Sequence, residues 1–150
     1  MANAKIGSHP SFGETLVESI DTTGKQLLPG DSGKIFMCDQ NSSADVVCYL
    51  PQLSTKIAGW NAKFVIRTAS SKDFAIVAYG SAHGGSTSGD SDTIVYHELT
   101  DTNTTVAAAD AIEFTESAAD IGSFCDIFTD GSKWYAYVRS SADANVVSAG

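Results

Sequence analysis

Ser32 stands in Gly30-Asp31-Ser32-Gly33, a setting in which a serine becomes a nucleophile when a histidine and an acid activate it. Only His9 precedes it, with too little chain between the two to build the framework that chemistry needs. The tetrapeptide reads as a turn, with Asp and Gly where a β-turn requires them. His83-Gly84-Gly85 has the composition of an oxyanion segment, but no Gly-x-Ser-x-Gly elbow accompanies it. Thr87 holds the central place in Gly85-Ser86-Thr87-Ser88-Gly89. His83, Asp90, Asp92 and His97 carry cation donors, and Asp-x-Asp in a loop suits calcium. No complete ligand set or EF-hand spacing is present, so a solvated acidic loop is expected there. Asp126 with Asp130, or Glu113 with Glu116, would serve as a glycosidase acid and base. Such pairs are inevitable among eighteen acids, and charges that keep strand edges and turns from aggregating account for them. The expected catalytic, cofactor and metal residues are therefore none.

Aromatic side chains offer a different chemistry. Trp60, Trp134, Tyr135 and Tyr137 are of the type that stacks on sugar rings. Alternation in Lys133–Arg139 puts Trp134 on one face with Ala136 and Val138, and Tyr135 with Tyr137 on the other. One face enters the core. The other is an exposed aromatic strip for a subunit interface or a ligand. Cys38, Cys48 and Cys125 are an odd number without a Cys-x-x-Cys, which argues against zinc. The spacing lets Cys38 and Cys48 face each other across one hairpin. Buried free thiols acting as small hydrophobes is the reading adopted.

These side chains need strands to position them. Runs rich in Val, Ile, Phe, Tyr and Thr occupy Thr15–Ile20, Lys34–Cys38, Val46–Leu50, Ala62–Thr68, Phe74–Tyr79, Thr93–Glu98, Ala111–Thr115, Ser123–Thr129 and Lys133–Arg139, with a shorter one at Gln26–Leu28. Ala69–Asp73 joins two of them and predicts a hairpin. Asp130-Gly131-Ser132 joins the last two in the same way, and Leu50-Pro51 ends the expected partner of the strand at Lys34–Cys38. Val106–Ala111 is too short for a helix, and Leu53–Trp60 holds at most one turn. Phe36, Val46, Phe64, Ile66, Phe74, Ile76, Phe114 and Trp134 form the expected core. The expectation is an all-β, single-domain antiparallel β-sandwich or jelly-roll-like fold over residues 14–139. A flexible N-terminal arm covers 1–13 and a tail 140–150, the tail being a free end or an edge strand added to a neighbour. Gly80–Asp92 is rich in breakers and reads as a surface loop.

A chain of 150 residues buries enough surface to fold without staples. Its net charge of −9 repels phosphate backbones, so no direct nucleic-acid binding is expected. No apolar run reaches a membrane span. Met1–Pro10 lacks the apolar stretch of a secretory signal, which predicts synthesis and maturation in a cytoplasm. Triplets at Asn41 and Asn103 match a glycosylation acceptor by chance.

Five pieces keep a fixed order across residues 23–138: Asp31-Ser32-Gly33, Leu50-Pro51, Gly59 with Phe64-Val65-Ile66, Ala75-Ile76-Val77, and Asp130-Gly131-Ser132-Lys133-Trp134-Tyr135. The set resembles small all-β virion structural proteins of tailed bacteriophages, often head decoration or cement proteins. The same pattern occurs in fibre and neck proteins. The resemblance implies a sandwich or jelly-roll protein on the outer surface of the phage head. It implies the major capsid protein as partner, a homotrimer over symmetry axes, and a clamp across capsid subunits against the pressure of packaged DNA. Residues 1–13 and the 80–92 loop match nothing in that pattern and would hold the particle-specific contacts. The alternative is a tail or fibre appendage that binds a host-surface carbohydrate or receptor. A small hydrolase is the third class, and it requires a concave pocket with coupled titratable groups.

Overall fold

The computed structural model describes residues 16–21, 24–40, 43–69, 71–80, 94–99, 104–115, 121–140 and 146–149, with backbone alone for 104–108 and 146–149. The strands are β1 (Val17–Ile20), β2 (Lys25–Gln26), β3 (Ile35–Asp39), β4 (Val46–Tyr49), β5 (Asn61–Thr68), β6 (Phe74–Val77), β7 (Ile94–Leu99), β8 (Thr104–Ala109), β9 (Ala111–Phe114), β10 (Phe124–Thr129), β11 (Trp134–Arg139) and β12 (Val146–Ala149). Short 3-10 turns at Pro29–Asp31 and Thr55–Ile57 are the only helical pieces among the described residues. The all-β expectation holds. The single turn expected within Leu53–Trp60 is the second of these 3-10 turns.

The strands form a seven-stranded sheet, β1-β3-β5-β10-β11-β7-β8, and a five-stranded sheet, β12-β9-β6-β4-β2. Both are mixed, which corrects the antiparallel expectation. β1 with β3, β3 with β5, β2 with β4, β4 with β6, and β7 with β11 run parallel. The cause is a winding path. From β1 to β6 each strand lies in the sheet opposite the one before it, so every second strand returns alongside its predecessor in the same direction. The expected hairpin across Ala69–Asp73 is absent, because β5 and β6 belong to different sheets. Five residues reach at most about 17 Å, which spans the roughly 10 Å between stacked sheets as readily as it closes a hairpin. The same crossing separates β3 from β4, so Cys38 and Cys48 do not face each other across a hairpin and Leu50-Pro51 does not end a partner of β3. The hairpin at Asp130-Gly131-Ser132 is present, pairing Thr129 with Trp134.

One core draws on both sheets. Phe36, Cys38, Phe64, Ile66, Cys125, Ile127, Trp134 and Val138 come from the larger sheet, and Val46, Cys48, Phe74, Ile76, Ile112 and Phe114 from the smaller. All eight residues expected in the core are at most 1% exposed. The cysteines are free and buried there. Two segments depart from the expectation. Thr104–Ala109, with its alanines, is strand β8 against β7. Val146–Ala149 in the tail is an edge strand, but it pairs with β9 of its own chain.

The two sheets differ on their outer faces. Val47, Ala75, Val77 and Ala111 form a second buried cluster on the outer side of the smaller sheet. β6 and β9 are thus buried on both faces, which accounts for their continuous apolar sequence. The outer face of the larger sheet is open instead. Phe128, Tyr137, Val17, Ile35 and Leu99 are all exposed on it.

Candidate functional site: the outer face of the larger sheet

Cross-strand register lays that face out in rows. Val17, Ile35, Lys63, Asp126, Tyr137 and His97 make one row across β1, β3, β5, β10, β11 and β7. Asn61, Phe128, Tyr135 and Val95 make the row beside it. Phe128 and Tyr135 stack with ring centroids 5.4 Å apart and planes 22° apart. Tyr137 continues the stack at 6.4 Å and 21°, and the His97 ring lies 5.9 Å from Tyr137. Near-parallel planes with centroids this far apart are offset rather than directly superposed. Tyr135 is fixed by its hydroxyl, which donates to Asp130 Oδ2 at 3.1 Å.

Charges on this face are matched locally. Lys63 pairs with Asp126 at 3.1 Å, and its ammonium also sits 4.4 Å from the centre of the Phe124 ring. Arg67 grips Asp39 with two donors, one at 2.9 Å, and Thr68 adds its hydroxyl at 2.8 Å. The Arg67 hydrogen bond holds the Asp39 carboxyl below its ordinary value, with Thr68 assisting. Asp130 is held well below the usual carboxylate range. It accepts from the Ser132 hydroxyl at 2.7 Å and from the N–H groups of Ser132 and Lys133 at 2.8 and 2.9 Å.

The sequence candidates divide accordingly. Trp60 and Trp134 are core residues, packed edge to face at 5.2 Å and 86°. Tyr135 and Tyr137 form the outward strip that alternation predicted. Phe128 joins them, a residue the sequence reading passed over although Phe124, Asp126 and Phe128 alternate visibly. Ser32 Oγ accepts from the N–H of Asn61 at 3.2 Å, which makes it a turn brace. His97 is separated from β3 by three intervening strands and cannot serve Ser32. Asp126 is paired with Lys63, whereas Asp130 is occupied within its turn, so the two are not joined as acid and base. Glu113 is buried on the outer side of the smaller sheet, beside Ala75. His83, Asp90, Asp92 and Glu116 lie outside the described residues, as do the triplet residues Asn41 and Asn103. No group of three metal-binding side chains occurs among the described residues.

Three concavities among the described residues bear on ligand size, one of them a hollow of about 300 Å³ on the same sheet face between Ile35, Lys63, Asp126 and Phe128. The groove along Tyr135, Tyr137, Phe128 and His97 holds about 210 Å³, below the roughly 300 Å³ at which small-molecule sites begin. A larger apolar cleft of about 450 Å³ lies between Leu27, Leu28, Pro29, Pro51, Ile57 and Tyr79. Lys56 is its only charged lining residue.

The motif segments meet one another. The N–H of Gly33 donates to Asn61 O at 2.7 Å, and that of Gly59 to Thr129 O at 2.8 Å. Trp60 Nε1 donates to Leu28 O at 3.2 Å. The turns before β3, β5 and β11 are therefore knitted together at one end of the sheets. No family model, curated protein or solved structure matches this chain.

Proposed function

We propose that this chain is a non-catalytic virion structural protein that docks through the open face of its larger sheet. The observation that carries the docking is the stack of Tyr135, Phe128 and Tyr137 in a row system with exposed Ile35 and Val17. The Lys63–Asp126 pair lies between that stack and the two aliphatic side chains, so the face combines aromatic and aliphatic groups with charges already matched, a composition that suits a protein interface. Within that reading the two sheets form a jelly-roll-like sandwich. The ordered set of motifs supports the more specific role of a capsid cement or decoration protein on the outer surface of a phage head. There it would act as a homotrimer clamping neighbouring major capsid subunits. Modest contacts repeated across several subunits reinforce one another through effective concentration, which is how a small clamp resists internal pressure.

Electron microscopy of heads with and without this chain tests the role. Density in many copies on the shell is the expected result. Density restricted to the tail tip would replace cement by a receptor-binding appendage.

A further inference from the structure

The open face differs in charge from the rest of the molecule. Its outward strand positions hold Lys63, Arg67 and Arg139 against Asp39 and Asp126, a balance of +1. The whole chain carries −9. Among the described residues the other positions hold nine acidic side chains against five basic ones, so two copies approaching through those surfaces repel each other. Through this face they do not.

We propose that copies of this chain join through this face, an inference that rests on reading the face as a protein interface. Seven strands at about 4.8 Å and six residues at about 3.4 Å span roughly 34 Å by 20 Å, or about 700 Å² in projection. A standard interface takes about 800 Å² from each partner, so the face is of the size required. Lys63 with Asp126 and Arg67 with Asp39 are already paired within one copy, which limits the cost of drying them. The Asp130 hydrogen bond fixes Tyr135 before contact, and a preordered side chain loses little entropy on binding. A strongly charged partner of either sign gains nothing from a balanced face. A second copy, acidic over its other described positions, needs one.

Sedimentation equilibrium of the purified full chain across the micromolar range provides the test. The expected mass is a multiple of 15.7 kDa. Phe128→Asp with Tyr137→Asp should weaken association at least tenfold while far-UV circular dichroism and melting stay near wild type. Arg139→Glu, a milder change at an exposed strand end, should weaken it in a salt-dependent way and guards against misfolding of the double variant. A wild-type monomer throughout the range overturns the inference, as does a folded double variant that remains associated. Head-binding by the double variant separates the two readings. If the wild type is monomeric and the variant loses heads, self-association falls and docking through this face stands. If the wild type is monomeric and the variant binds heads fully, both fall. Retardation of a monomeric wild type by host-surface polysaccharide overturns self-association in favour of sugar.

Discussion

Gly131 is the residue on which the last hairpin turns. Its φ of +92° is one that residues with a Cβ avoid, and a Cβ there would lie 2.8 Å from the carbonyl oxygen of Ser54. Gly131→Val should cost more than an ordinary surface change, about 2–4 kcal/mol in urea unfolding. An unchanged midpoint would mean that the turn relaxes freely. Trp134 makes a second case. It is fully buried, and its Nε1 has no hydrogen-bond partner. Trp134→Ala should cost about 3–5 kcal/mol. Trp134→Phe should cost clearly less, since it keeps an aromatic ring in the space and removes the unpaired N–H. The carboxylates predict the acid response. Asp130 is held low by Ser132, Asp39 by Arg67, and Asp31 by Lys34 and the Leu28 N–H against the opposing effect of burial. Each folded value lies below the ordinary 3.8, so the stability they supply is complete above that pH. It is lost as pH falls further, through the folded values. Melting temperature measured against pH should fall below about pH 4, and Asp130→Asn should flatten that limb.

Among the elements, the strands were legible and their partners were not. Alternation in Phe64-Val65-Ile66-Arg67 and Trp134-Tyr135-Ala136-Tyr137 set the inward residues correctly, because each inward position has the same physical demand in any β arrangement. Pairing depends on where a loop delivers the chain. Loops at 40–45 and 69–73 are short enough for hairpins, yet each crosses to the other sheet. Nothing in Ala69–Asp73 distinguishes the two outcomes. The aromatic strip was half legible: Tyr135 and Tyr137 follow from one strand, whereas Phe128 joins them only through the register of β10 on β11. The motif glycines at 33, 59 and 131 all adopt positive φ and serve a mutually bonded set of turns. Their order along the chain therefore marks a fold. The crossing of β3 to β4 also gathers the cysteines. Cys38 and Cys125 come from one sheet and Cys48 from the other, and burial pushes all of these thiols up. The native protein should be inert to a thiol reagent at neutral pH, and denaturant should release three reactive thiols per chain. Fast labelling of the native state would show that the core opens locally.

At the scale of the whole molecule, the described part of the core begins well inside the chain. Ile20 is the earliest member of the core cluster, and β1 is an edge strand held by β3. Residues 1–13, read as an arm from their small and polar composition, lie outside the described residues. A polar arm of this kind can supply contacts to a partner, gaining order as it binds. Deleting residues 2–12 should leave circular dichroism and melting within the range of surface changes, about 0.5 kcal/mol. Self-association through the larger sheet should also survive, since none of that sheet's strands includes a deleted residue. Attachment to heads should weaken, and undecorated heads should open or lose DNA sooner on heating. These three readouts assign the parts separately. Lost folding would place the arm in the core. Full-strength attachment by the truncated chain would remove the arm from the capsid contact. Weakened attachment with intact association is the pattern expected of a clamp, in which one surface binds its own kind and another grips the shell.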